Sequence, residues 1–178
     1  MSAVKGICKF RMLKKLTTMD DITNALFAAS RQGNVPVLKE IFSHLKDLDI
    51  KDERGFTPLI IAAYNNQPEA VTALLDAGAN INMPDNSGNT ALMGACFKGY
   101  ENVAQVLINR NANLNAQHGN GGTALMFAAM FGRNELVDLL IESGAHTTLT
   151  DARGMTAADL AQQQGNSVAV AKLQQLTA

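Results

Sequence analysis

The chain has 178 residues, 47% of them apolar and 5% aromatic, with no Trp; such a composition favours a helical core of Ala and Leu over a β-sandwich, which draws on β-branched and aromatic residues. Its 15 basic and 16 acidic side chains leave a formal charge of −1, so it lacks the broad positive field that binding to nucleic-acid phosphates requires. No apolar run approaches the roughly 20 residues that span a bilayer, and Cys8 and Cys96 are two thiols with neither metal-ligand spacing nor a disulfide framework, which points to reduced cysteines in a cytoplasmic protein.

In chain order, residues 1–19 come first, as a basic N-terminal extension. It carries Lys5, Lys9, Arg11, Lys14 and Lys15, has no acid before Asp20, and includes Val4, Ile7, Cys8 and Phe10. The charges break up any hydrophobic signal-peptide centre. Three readings stand open for it: an extra helix docked on the first unit of the chain's repeat, a basic membrane-surface or targeting helix, or a loose tail. Met12 and Met19 also leave an internal start open.

From residue 20 onward the chain divides into units of about 20–51, 52–84, 85–117, 118–150 and 151–176. The first lacks the threonine found in the others, with Asn24 in its place, and carries Lys39, Glu40 and His44; it reads as an N-terminal cap. The second is the plainest. Asp52-Glu53-Arg54-Gly55-Phe56 is turn chemistry, with Gly55 free to take positive φ. Thr57 is placed to cap a helix, and Pro58 follows at the first helical position, where its missing N–H costs nothing. A short helix runs through Leu59, Ala62 and Ala63, Asn66-Gln67-Pro68 breaks it, and a second passes through Val71, Leu74 and Leu75 to a left-handed stop at Gly78. Asn111 takes the stop position in the third unit and Gly144 in the fourth. In the fifth, Gln162, Gln163, Gln164, Gln174 and Gln175 replace more apolar or mixed positions, as expected of a C-terminal cap with solvent on one side.

The units hold one register. Thr57, Thr90, Thr123 and Thr156 are 33 residues apart, and Gly55, Gly88, Gly121 and Gly154 precede them by two. Asp52, Asp85 and Asp151 keep the same step, with His118 in the remaining slot. Ala29, Ala62, Ala95, Ala128 and Ala161 recur likewise, as do Leu26, Leu59, Leu92 and Leu125, and Ile41, Leu74, Leu107, Leu140 and Leu173. A fixed period of this length is the mark of a stacked repeat protein.

The stretches Thr57-Pro58-Leu59-Ile60-Ile61-Ala62, Thr90-Ala91-Leu92-Met93-Gly94-Ala95, Thr123-Ala124-Leu125-Met126-Phe127-Ala128 and Thr156-Ala157-Ala158-Asp159-Leu160-Ala161 resemble the ankyrin repeat, a unit of about 33 residues with a T-P-L-H-x-A signature. The tail Leu74-Leu75-Asp76-Ala77-Gly78-Ala79-Asn80-Ile81-Asn82 is similar to the end of that unit. The resemblance covers about Asp20 to Leu176 and implies an all-α solenoid of helix-turn-helix units joined by β-hairpin-like loops. It departs at the family's histidine, which is Ile60, Met93, Met126 and Asp159 here. At the first three sites apolar packing is expected instead of a polar bridge between loops.

The resemblance also implies a concave surface, built from turn tips and the exposed ends of the first helices, that binds proteins. Transferred to this frame it gives Glu53, Arg54, Phe56, Tyr64 and Asn65 from the second unit, and Asn86, Ser87, Asn89, Phe97 and Lys98 from the third. The fourth contributes Gly119, Asn120, Gly122, Met130 and Phe131, the fifth Ala152, Arg153, Met155, Gln163 and Gln164, and the first Arg31 and Gln32. Four of the nine Phe and Tyr residues, Phe56, Tyr64, Phe97 and Phe131, fall on this surface. Tyr64, Phe97 and Met130 share the 33-residue step and predict a ladder along the groove. Aromatic side chains of this kind supply binding hot spots; the alternative is that the rings fold down over neighbouring helices and complete the core.

Other motifs carry less. Gly119-Asn120-Gly121-Gly122-Thr123-Ala124 matches a loose dinucleotide fingerprint but lacks the βαβ context such a site needs; its extra glycines read as making the tip pliable. His44, His118 and His146 lie in three units without ligand spacing, and Asp52, Asp85 and Asp151 are accounted for by turns. The sequence therefore points to a monomeric, non-enzymatic module without cofactor or metal that binds a partner protein through its groove as an adaptor or chaperone-like factor. A dedicated inhibitor or immunity protein blocking one enzyme is the alternative, and an enzyme or nucleotide-binding protein the third reading. Nucleic acid and a membrane span are not expected.

Overall fold

The computed structural model describes residues 18–176. Apart from Thr18 and Met19, the basic N-terminal extension lies outside the described residues. Among the described residues there are ten α-helices and no β-strand. They are α1 (Met19–Gln32), α2 (Val35–Ile41), α3 (Pro58–Tyr64), α4 (Pro68–Asp76), α5 (Ala91–Lys98), α6 (Glu101–Asn109), α7 (Ala124–Met130), α8 (Asn134–Glu142), α9 (Ala157–Gln163) and α10 (Ser167–Gln175).

The repeat's threonines set where the inner helices begin. Thr57, Thr90, Thr123 and Thr156 are all extended at the N-cap, and each side chain accepts the N–H three residues on. One orphan donor of each helix is satisfied in this way. The first unit differs from its register. Thr18, rather than Asn24, caps α1, through a reciprocal capping box with Asp21. With Asp20 and Asp21 favoured at the positive end of the helix dipole, α1 starts early and reaches 14 residues.

The helices stack in two layers. The inner layer runs α1, α3, α5, α7, α9 and the outer layer α2, α4, α6, α8, α10, each helix packing on its neighbours in the layer and on its partner in the unit. A single apolar core lies between the layers, with Leu26, Leu59, Leu92 and Leu125 from the inner helices and Ile41, Leu74, Leu107, Leu140 and Leu173 from the outer ones, all almost fully buried. The recurring alanines, Ala62, Ala95, Ala128 and Ala161, are completely buried; a small side chain there lets successive inner helices approach closely. Ile60, Met93 and Met126 are buried as well, so apolar packing does stand where the family's histidine is missing.

Turns at the open edge project as fingers. At each tip a glycine adopts positive φ: Gly55 at 82°, Gly88 at 88°, Gly121 at 79° and Gly154 at 76°. The preceding aspartate organises the turn, Asp52 Oδ1 accepting the N–H groups of Arg54 and Phe56 at 3.0 and 2.9 Å. Asp85 and Asp151 do the same in their units. Neighbouring fingers are joined backbone to backbone, Gly119 N–H donating to Ser87 C=O and Ala152 N–H to Asn120 C=O, both at 2.8 Å.

A second set of links was not drawn from the sequence. Asp49, Asn82 and Asn115 each accept, through Oδ1, the backbone N–H of the residue 31 positions on: Asn80, Asn113 and His146, at 2.9, 2.8 and 2.8 Å. These bonds tie each unit's connecting loop to the next.

Candidate functional site

The inner helices and the fingers border one groove. Tyr64 and Phe131, at the C-terminal ends of α3 and α7, are its exposed rings, with 42% and 40% of their surface accessible. Phe97 lies between them, stacked on Tyr64 at a ring separation of 6.1 Å and meeting Phe131 edge-on at 4.7 Å. Such geometries add attraction beyond burial. Phe97 and Phe56 are half-buried rather than exposed, so the two proposed fates of the rings divide among them. Met130 is also half-buried, and it is Phe131, next to it, that continues the row. Lys98 places its ammonium 4.6 Å from the Tyr64 centroid and 5.9 Å from that of Phe97, within cation–π range.

Hollows open along the groove. One of about 290 Å³ lies over Gly94, with Phe56, Ile60 and Tyr64 on one side and Phe97 and Phe127 on the other. Gly94 stands where the adjacent inner helices carry Ile61 and Phe127, and its missing side chain leaves the floor open. A smaller one, about 200 Å³, is lined by His118, Met126, Phe127, Met130, Arg153 and Leu160. Sequence reasoning passed over Phe127, Gly94 and His118 as groove residues. A signal was present, because Gly94 and Phe127 differ where the register otherwise holds an apolar residue of middle size.

Among the other residues drawn from the sequence, Glu53, Arg54 and Asn65 are exposed. Asn65 bends back so that its amide donates to the Ile61 carbonyl at 2.8 Å. Asn89 is half-buried, and its amide binds both carboxylate oxygens of Asp85. Arg153 is held by Asp151 in a two-point contact, Nε and one terminal nitrogen each 3.0 Å from Oδ2. The backbone N–H of Met155, with smaller contributions from Arg153, keeps the Asp151 carboxyl below the usual carboxylate range. Asp159, which accepts from the Thr156 hydroxyl and N–H, is lowered in the same way. Both carboxylates have structural partners.

In the fourth finger His118 takes the aspartate's place, its Nδ1 accepting the Asn120 N–H at 3.1 Å. Its ring lies 5.4 Å from Phe127 and fills the space beside Gly122, where a Cβ would come within 2.4 Å of Nε2. The glycine at 122 is thus explained by room for the imidazole rather than by pliability. Among the described residues no group of three or more His, Cys, Asp or Glu converges as a metal site would, and no helix is long and apolar enough to cross a membrane.

The repeat length, capped inner helices, two-layer stack and finger turns agree with family comparison. One model of ankyrin repeats, comprising three copies, matches residues 25–118, and a second, comprising many copies, matches 106–161. The chain belongs to the ankyrin repeat family. Over 63 residues it is 38% identical to ankyrin repeat domain-containing protein 29 of Danio rerio, covering 35% of this chain and 21% of that protein. Over 62 residues it is 34% identical to ankyrin repeat and SOCS box protein 3 of Homo sapiens, 35% of this chain and 12% of the relative. An 81-residue stretch is 38% identical to transient receptor potential cation channel subfamily A member 1 of Homo sapiens, 44% of this chain and 7% of the channel. The chain thus spans about a fifth or less of these relatives, and the likeness lies in the ankyrin repeats they share. Ankyrin repeats generally mediate protein–protein interaction.

Proposed function

We propose that this ankyrin stack is a non-enzymatic binding module that holds a partner protein in the groove bounded by the fingers and inner helices, as an adaptor or chaperone-like factor. The observation that carries this reading is the row Tyr64–Phe97–Phe131, in which Tyr64 and Phe131 remain open to solvent and Tyr64 and Phe97 line a hollow floored by Gly94. Contiguous apolar surface flanked by polar residues is where soluble proteins meet partners, and buried aromatics at the centre of an interface dominate its energetics. The frame is rigid, since each inner helix is capped and the third, fourth and fifth units' fingers are tied in series, so little ordering entropy opposes association.

The test is a photo-crosslinking amino acid placed singly at Tyr64, at Phe131 and, as control, at Gln105 on the outer layer. Adducts with a second protein from the two groove positions and none from Gln105 are expected. One adduct would favour a dedicated inhibitor and several an adaptor. Adducts from Gln105 alone would move the site to the outer helices, and no adduct from any position would remove the binding-module reading.

A further inference from the structure

The charges around the aromatic row narrow the chemistry of a partner in the groove. Three cations at helix ends border that row, and Arg54 and Asp52 of the second finger line one of its hollows. Arg31 ends α1 and lines the same hollow as Tyr64 and Asn65. Lys98 ends α5 above the Tyr64 ring. Arg133 opens α8 and lays its side chain along Gly99, the residue that closes α5, its Cδ and Nε within 3 Å of where a Cβ would stand. None of the three forms an ion pair among the described residues, whereas Arg110, Arg153 and Lys172 are paired with Asp76, Asp151 and Asp138. Residues 25–34, 58–67, 91–100 and 124–134, which make this side of the groove, include no Asp or Glu.

The carboxylates on the groove side are engaged within the chain: Asp52, Asp85 and Asp151 at the finger bases have Oδ1 bound by backbone N–H groups, and Asp159 on α9 accepts from Thr156; at the second unit's tip Glu53 and Arg54 are both exposed. Outer helices α4, α6 and α8 instead carry Glu69, Asp76, Glu101, Glu135, Asp138 and Glu142. The inner-helix ends are thus an aromatic strip with unpaired positive charge, set in a body whose opposite face is acidic.

We propose that this strip takes an acidic protein segment, with an aromatic or leucine side chain seated on the Tyr64–Phe97–Phe131 row and carboxylates reaching Arg31, Lys98 and Arg133. The proposal rests on the groove being the binding surface. The negative end of a helix dipole attracts the cations near it, and with no carboxylate partner among the described residues these side chains keep donors for a partner's carboxylates. A long polyanion is disfavoured because it would run beyond the strip onto acidic surface, whereas a short segment interacts within about one Debye length, roughly 8 Å at physiological salt. Complementary charge sets partner choice and encounter rate, and the aromatic row supplies the apolar anchor.

The test is panning of a random displayed-peptide library on the full chain, followed by fluorescence anisotropy with the leading peptides. Enriched sequences are expected to surround a Trp, Phe or Leu with Asp and Glu. Their affinity should fall by at least about tenfold on the Arg31→Glu/Lys98→Glu/Arg133→Glu variant, and wild-type affinity should weaken as salt rises, a readout independent of how that variant folds. Neutral or basic sequences, or acidic ones indifferent to both charge reversal and salt, would overturn the proposal. If such peptides are still lost on Tyr64→Ser/Phe131→Ser, the groove reading survives and only its acidic character fails; if they are indifferent to that change too, or nothing is enriched, the groove reading fails with it. Displacement of the peptides by polyuridine at equal charge concentration would reassign the strip to nucleic acid.

Discussion

The imidazole of His118 occupies the space beside Gly122, its Nε2 2.4 Å from where a Cβ on that residue would lie. Elsewhere the same two positions hold Asp52 with Phe56, Asp85 with Asn89 and Asp151 with Met155. The fourth unit's two departures therefore compensate one another: a bulky ring in the aspartate slot and no side chain opposite it. Gly122→Ala alone should destabilise by about 1–3 kcal/mol, as overpacking does. His118→Asp should remove that conflict and gain the second backbone N–H that Asp52 binds, so Gly122→Ala should be tolerated in the His118→Asp background. Urea denaturation of the two single variants and the double should show a coupling of about 0.5–3 kcal/mol. Additive effects would mean that the two sites are independent.

What the sequence made legible came from its period. Thr57, Gly55, Ala62 and Leu74 have roles set by local geometry and close packing, which every unit repeats, so their function can be read from spacing alone. Thr18 was not legible, because a helix in the terminal unit is not bound by the register and starts where a capping box forms. The groove was legible only in outline. Spacing placed Tyr64, Phe97 and Met130 in one row, but how deeply a ring settles depends on its neighbours across units: Phe97 sinks against Phe127 and Phe131, and Gly94 gives Tyr64 room. Such contacts join residues that differ between units, the part of a repeat protein its period does not describe.

Asn82 is one of the loop links, accepting the Asn113 N–H at 2.8 Å while its own N–H donates to Asn80 Oδ1 at 3.0 Å. Asn82→Ala should leave the Asn113 N–H without its protein acceptor. Since Asn113 is exposed, water replaces the bond in part and the loss should be about 1 kcal/mol. Hydrogen exchange is the sharper readout, with the Asn113 amide expected to exchange faster than that of His146, whose link to Asn115 is untouched. Equal exchange at both would show that the links do not hold the loops.

Gly94 separates stability from groove shape. It lies inside α5 with no positive φ, and a Cβ there would be 3.3 Å from Tyr64 Cδ2, an exposed ring free to shift. A glycine within a helix costs roughly 0.5–1 kcal/mol relative to alanine, so Gly94→Ala should raise the denaturation midpoint. Gly94→Leu would fill the hollow between Tyr64 and Phe127 and weaken partner binding in a folded protein. A strong loss of stability with alanine would show that the Tyr64 ring is fixed.

Cys96 is completely buried in α5, and burial pushes its thiol up to about 12. Only the thiolate reacts readily, so in a Cys8→Ser background disulfide reagents should leave the native protein unlabelled near pH 8 and label it once unfolded. The raised value also sets a sign. Unfolding returns the thiol to its ordinary value near 9, so this contribution to stability is complete below pH 9 and is lost as the pH climbs towards 12. Cys96→Ala should flatten that alkaline decline. Rapid native labelling would place the thiol outside the core.

Leu107 tests the stack itself. It is fully buried in α6, which packs on both α4 and α8 in the outer layer. Truncating it opens a cavity that the layers cannot close without moving two interfaces, and Leu107→Ala should cost about 2–5 kcal/mol. Leu173 has the same register and almost the same burial, but α10 has only α8 beside it in the described outer layer. Because solenoid stability adds over neighbouring units, Leu173→Ala should loosen the last unit first and broaden the transition instead of shifting it whole. Gln163→Ala, on an exposed residue of α9, should stay within about 0.5 kcal/mol of wild type. Urea titration followed by far-ultraviolet circular dichroism distinguishes the three; equal effects at Leu107 and Gln163 would contradict the two-layer register.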